Sequence, residues 1–137
     1  MELKVMSYRA ALKYEPDKNT AAIRIFPSTQ EHCPRRSLRD SPNYRYIAEY
    51  FFDDIEQSEE GKVFFTQDLA EQMISDLRQH LGGCECILIH CVFGRRRSPG
   101  VAIALNELLN LGYDELREQF PDYNQQVYEA LLAVEGK

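Results

Sequence analysis

The run His90-Cys91-Val92-Phe93-Gly94-Arg95-Arg96-Arg97-Ser98 sets a thiol, a glycine, three guanidinium groups and a hydroxyl within the span of one loop. Chemistry at phosphorus suits that set. A thiolate is a strong nucleophile. Successive backbone N–H groups of a tight loop form an anion nest, and a helix that follows adds the positive end of its dipole. The same field favours the thiolate of a cysteine at the base of the loop over its thiol. Arg97 closes the loop as a fork for two phosphate oxygens. Gly94 lets the backbone turn sharply and come close to the anion.

Cysteine and arginine at this spacing alone are weak evidence. Adding His before Cys, Gly at the third position after it and Ser after Arg makes a chance match on the order of one in 10^4 or rarer. Cys91 is therefore read as a nucleophile rather than as a small buried apolar residue. The chain carries its own control. His32-Cys33-Pro34-Arg35-Arg36-Ser37-Leu38-Arg39-Asp40 has the same His-Cys and Cys-to-Arg spacing. Here Pro34 removes a backbone donor where the nest needs one, Arg36 replaces the glycine, and Asp40 brings negative charge. No apolar strand precedes this run, so Cys33 is read as a loop cysteine.

The run at Cys91 resembles the signature of the cysteine-dependent protein tyrosine phosphatases, His-Cys-x-x-Gly-x-x-Arg-Ser/Thr, and specifically their small dual-specificity-like branch. The resemblance extends from about Thr20 to Leu132. Tyr50-Phe51-Phe52-Asp53-Asp54-Ile55 looks like the family's strand that ends in a general-acid aspartate, and the register favours Asp54 over Asp53. Pro121, Asn124, Val127 and Leu131 resemble the closing helix of that branch. Two positions depart from the pattern: Phe93 stands where a small residue is usual, and Ala130 where many relatives carry glutamine.

The resemblance implies a phosphatase of phosphotyrosine or dual specificity. Cys91 would attack phosphorus, Asp54 would protonate the leaving oxygen, and water would then hydrolyse a cysteinyl-phosphate. Arg97 and the loop N–H groups would stabilise the equatorial oxygens. Ser98 would hydrogen-bond the sulfur, and His90 would hold the loop rather than transfer protons. Val92, Phe93, Gly94, Arg95, Arg96 and Asp53 would complete the substrate contacts. Neither a metal nor another cofactor is implied. The substrate would be a phosphorylated protein or a small phosphate. A phosphoinositide-type phosphatase and a non-catalytic phosphate-binding module are the alternatives. A rhodanese-like sulfurtransferase or an arsenate reductase is a further one, but those do not usually combine His before Cys, Gly94 and an upstream strand-end aspartate.

These residues need a frame that brings sequence-distant groups to one edge. Leu3–Met6 reads as a strand, with Ser7 capping a helix over Tyr8–Tyr14. Thr20–Phe26, Arg45–Phe52 and Cys86–His90 read as further strands. Thr66 caps a helix whose Leu69, Ala70, Met73, Ile74, Leu77 and Leu81 fit a 3.6-residue period. Helices follow from Ser98 or Pro99, near Tyr113–Phe120 and over Tyr123–Val134, and Pro27–Pro42 is a loop. Strands alternating with amphipathic helices predict an α/β fold: a mainly parallel sheet of about four to five strands, helices on both faces. Such sheets bind ligands beyond their carboxyl ends, where Cys91 and Asp54 would meet.

With 137 residues, 44% of them hydrophobic, the chain reads as a single domain with a sizeable core. A net charge of −6 argues against general nucleic-acid affinity and against a basic membrane-binding face. No long apolar run or N-terminal export signal is present, so a soluble, cytoplasmic protein is expected; a monomer is the expected state. Four irregularly spaced cysteines suit a reducing compartment. Cys84 and Cys86 are expected to share one face of a strand and pack there. Arg35, Arg36 and Arg39, with Arg95 and Arg96, are expected to make a basic mouth on an acidic body, favouring acidic or multiply phosphorylated substrates.

Overall fold

The computed structural model describes residues 1–29 and 33–135; His32, the first residue of the second His-Cys run, lies outside them. The elements are β1 (Glu2–Ser7), α1 (Tyr8–Lys13), β2 (Thr20–Phe26), β3 (Tyr44–Phe51), α2 (Gln67–His80), β4 (Cys86–Cys91), α3 (Arg97–Leu108), α4 (Leu116–Gln119) and α5 (Gln125–Glu135). The four strands form one sheet in the order β1-β4-β2-β3, and every pair is parallel. The sheet is the α/β arrangement expected, at the lower end of the expected strand number.

Alternation along the strands divides the core between two faces. Ile23, Ile25, Ile87 and Ile89 point into the larger core with Met73 and Leu77 of α2, Val101–Leu105 of α3, and Val127 and Leu131 of α5. Ala22 and Leu88 point the other way, against Ala11 of α1 and Leu38 of the following loop. α3 is buried nearly all round its first three turns, because the sheet and α5 enclose it. α2 buries only Ala70, Met73, Ile74 and Leu77, the stripe its periodicity predicted. The hydroxyls of Ser7 and Thr66 accept from Ala10 N–H and Leu69 N–H at 3.1 Å, so both helices start where capping chemistry placed them.

Two local expectations are corrected. The helix expected near Tyr113–Phe120 is reduced to the single turn α4. Asn106 bonds both backbone groups of Tyr113, donating to its carbonyl at 2.8 Å and accepting its N–H at 3.0 Å, which holds that segment out of a helix. Cys84 does not share a strand face with Cys86. Its N–H closes a turn onto the Leu81 carbonyl at 3.0 Å, and β4 starts two residues later.

Since all strands run the same way, Ser7, Phe26, Phe51 and Cys91 all end at one edge, with Ser7 directly beside Cys91 in register. The chain is tied beyond that edge as well. Phe52 N–H donates to Phe26 O at 3.0 Å and Asp53 N–H to Val63 O at 2.9 Å, so the segment after β3 is held at the end of β2 and folded back on itself.

Candidate active site

Cys91 is the last residue of β4 and is 3% exposed. Three groups surround its sulfur. Ser98 Oγ lies 3.0 Å away, and the N–H groups of Gly94 and Ser98 donate to Sγ at 3.3 and 3.4 Å. Ser98 belongs to the first turn of α3, whose N-terminus has no side-chain cap. Its free backbone donors therefore face the sulfur side of the loop, where negative charge is favoured.

Gly94 is required twice over. Its φ of +69° lies in the left-handed region, and a Cβ there would sit 2.8 Å from Met6 C and from Ser7 N. The loop can fold back on the end of β1 only with no side chain at this position. Gly100 does similar work behind the loop: a Cβ would come 2.7 Å from the Asn124 carbonyl, so its absence lets α3 and α5 close up.

His90 is completely buried between Tyr8 and Phe26, ring centroids 5.9 and 5.7 Å away. Its Nε2 accepts from Arg24 Nε–H at 2.9 Å, which puts the ring hydrogen on Nδ1, 3.4 Å from the Cys91 carbonyl. Burial, and secondarily the Arg24 charge, push its pKa down to about 4. His90 is thus a neutral brace at the base of the loop. Arg24 is itself 2% exposed, bonded to Glu49 Oε2 at 3.2 Å and the Arg36 carbonyl at 2.5 Å, with its guanidinium 4.9 Å from the Phe26 ring centroid.

The two aspartates after β3 part company. Asp54 borders a cavity of about 280 Å³ whose other walls are Cys91, Phe93, Arg95, Arg96 and Arg97. Its Oδ2 accepts from Arg96 Nε at 2.9 Å and its Oδ1 from Asn124 Nδ2 at 3.0 Å. Asp53 is not among the walls. Its carboxylate accepts from Ser28 N–H (3.0 Å), Ser28 Oγ–H (2.6 Å) and Val63 N–H (2.8 Å). Against a partial burial cost, those bonds hold its carboxyl below the usual range. A carboxylate so engaged locks loops together and is turned away from Cys91.

The arginines differ just as sharply. Arg97 is 7% exposed and donates to the Phe52 carbonyl at 2.9 Å, which ties the loop to the Asp54 segment. Arg96 is held by Asp54, by Glu56 at 3.2 Å and by the Asp122 carbonyl at 2.7 Å, so its charge is committed. Arg95 is exposed and lines the cavity. Arg35 and Arg39 do not join the expected basic mouth. Arg35 is paired with Glu49, with its guanidinium 5.9 Å from the Phe51 ring centroid. Arg39 donates to the Lys13 carbonyl at 3.2 Å and faces a different cavity, with Asp40 and Glu49.

Phe93, 75% exposed, stands between the Cys91 cavity and a neighbour of about 940 Å³. Val92, expected to touch substrate, lines only that neighbour, and Cys33 is buried in its wall beside Tyr8 and Phe26. Sequence reasoning missed Arg24 and gave Asn124 no role. Arg24 has a visible signal, a charge within the otherwise apolar strand Thr20-Ala21-Ala22-Ile23-Arg24-Ile25-Phe26. Asn124 is wholly buried and links three segments: its side chain bonds Asp54 and Ile55 O, its N–H donates to Arg96 O at 2.9 Å, and its Oδ1 caps α5 by accepting from Val127 N–H at 3.0 Å. Among the described residues no His, Cys, Asp and Glu side chains cluster as a metal site, and no helix is long and apolar enough to cross a membrane.

No family model matches the sequence, and no curated protein does. The fold is nonetheless similar to a solved one. The crystal structure of Tk-PTP in the active form superposes with a TM-score of 0.56, covering 98% of this chain and 90% of that chain at 15% sequence identity. At that identity the likeness is one of fold.

Proposed function

We propose that the chain is a cysteine-dependent phosphatase that hydrolyses phosphate monoesters through a cysteinyl-phosphate. One observation carries this reading: the Cys91 sulfur is ringed by Ser98 Oγ and two backbone N–H donors at 3.0–3.4 Å, in a cavity that also presents Arg97 and Asp54. A thiol that served only to pack would not need three polar partners around sulfur.

In the first step the Cys91 thiolate forms an S–P bond as the P–O bond to the leaving group breaks. Asp54 gives its proton to the departing oxygen. In the second step water attacks phosphorus, Asp54 takes its proton, and the S–P electron pair returns to sulfur. Ser98 Oγ–H and the two N–H groups stabilise the thiolate that leaves. Arg97 and the loop amides hold the equatorial oxygens throughout. The net reaction converts a phosphate ester and water into an alcohol and inorganic phosphate.

Phosphate release from an aryl phosphate, with Cys91→Ser as control, tests this reading. Turnover by the wild-type chain only, with a phosphate mass adduct on Cys91 after acid quench, is the expected result. Absence of both, with anion binding retained, would identify a phosphate-binding module instead.

A further inference from the structure

The cavity beside the Cys91 site shares Phe93, Arg95 and Arg97 with it and is more than three times as large, about 940 against 280 Å³. Its remaining walls come from the start of α1 (Ser7, Tyr8, Arg9), from Pro27, Thr29 and Cys33 after β2, and from Val92. Two properties set it apart. Among the described residues it is lined by Arg9, Arg95 and Arg97 and by no carboxylate. Among the described residues, moreover, Arg9 and Arg95 make no hydrogen bond or ion pair, whereas Arg24, Arg35, Arg96 and Arg97 are all engaged. The body of the cavity is apolar, formed by Tyr8, Pro27, Val92 and Phe93. The one hydroxyl there at the end of β1, Ser7 Oγ, is already used in capping α1.

Uncommitted guanidinium groups next to the Cys91 cavity have an evident use. Each offers a fork that matches a carboxylate or phosphate, and in a body of net charge −6 they make a local anion-attracting field. We propose that this second cavity is a subsite for another anionic group on the substrate. Arg9 and Arg95 receive the anion, and Tyr8, Val92 and Phe93 flank an apolar spacer. The favoured substrate class is then a phosphate monoester carrying a second phosphate or a carboxylate on an apolar linker. The proposal rests on the reading of Cys91 as the phosphatase centre and extends it. Arg9 could not be placed from the sequence, because only the pairing of β1 with β4 brings Ser7, and so α1, beside Cys91.

The test uses three matched aryl phosphates: a 4-alkylphenyl phosphate, the same compound with a terminal carboxylate, and the same with a terminal phosphate. Wild-type kcat/KM is expected to rise roughly tenfold with an anionic tail, the scale of one charge-assisted hydrogen bond, and the gain should shrink at high salt. Arg9→Ala should bring the ratio between tailed and neutral probes close to one, while Arg39→Ala, outside both cavities, leaves it unchanged. A larger gain with the phosphate tail assigns bisphosphates; a larger gain with the carboxylate assigns the chemistry of an acidic phosphopeptide. Equal kcat/KM for the three probes, or a preference that survives Arg9→Ala, overturns the subsite. Calorimetry of the same probes with Cys91→Ser separates the two claims: binding that favours the tails without any wild-type turnover sinks the phosphatase reading and leaves the subsite standing.

Discussion

Arg24 donates its Nε–H to His90 Nε2 at 2.9 Å, and this bond between β2 and β4 fixes the tautomer of the histidine that precedes Cys91. A histidine next to a nucleophile invites a proton-transfer role. The buried neutral ring, capped by a guanidinium, points to a positioning role instead. In the unfolded chain the imidazole titrates at its ordinary 6.5, whereas in the folded protein it does so at about 4. The unfolded state therefore binds more protons between those values. Stability from keeping His90 neutral is complete above about pH 6.5 and lost as pH falls toward 4, an effect of about 3 kcal/mol. Thermal melts of His90→Gln should show a shallower loss of stability over this window than the wild type; parallel curves would refute the assignment.

Cys91→Ser should abolish turnover while keeping phosphate or tungstate binding, since the nest and Arg97 remain. Ser98→Ala removes the hydroxyl 3.0 Å from the sulfur, and its effect should fall on the second step, where the thiolate leaves. Stopped-flow kinetics with an activated aryl phosphate should show an unchanged burst followed by a steady-state rate about 10–100-fold lower. Slowing of the burst alone would remove Ser98 from that role.

Asp54→Asn and Asp53→Asn should separate chemistry from stability. The first is expected to lower kcat by roughly 10^2–10^4 for esters with poor leaving groups and far less for activated aryl phosphates. The second breaks charged hydrogen bonds to Ser28 and Val63 and should lower stability by about 1–3 kcal/mol, read as a lower denaturant midpoint, with the leaving-group dependence intact. An exchange of these phenotypes would show that the carboxylate facing Cys91 is not Asp54.

Gly94→Ala forces a side chain into a left-handed residue whose Cβ meets β1 backbone at 2.8 Å. Backbone strain alone is worth about 1–3 kcal/mol, and the contact is with main chain that cannot rotate aside. The variant should lose at least that stability and bind anions weakly. Wild-type stability together with wild-type anion affinity would mean that the loop does not need its glycine.

Much of this site is legible in the residues because it is local. The Cys91–Ser98 loop carries its strand, its turn glycine and its helix start within one continuous stretch. The caps at Ser7 and Thr66 and the periodic stripe of α2 are equally local, and they form as expected. The control run at Cys33 is rejected on local grounds too, and Cys33 sits in the core beside Tyr8 and Phe26.

What the sequence could not settle is which of several like side chains faces which neighbour. Asp53 and Asp54 are adjacent and chemically identical, and only the approach of Ser28 and Val63 on one side and Asn124 and Arg96 on the other gives them different work. Arg35, Arg36 and Arg39 looked like partners of Arg95; Glu49 on β3 neutralises the first, and the path of the loop turns the last away. The proposed nucleophile, its cradle and the order of elements were thus determined by short-range pattern, because turns, caps and periodicity act over a few residues. The surroundings of the proposed acid, the His90 brace and the uncommitted arginines were decided by tertiary structure, because the charge a side chain meets depends on segments 25 to 70 positions away.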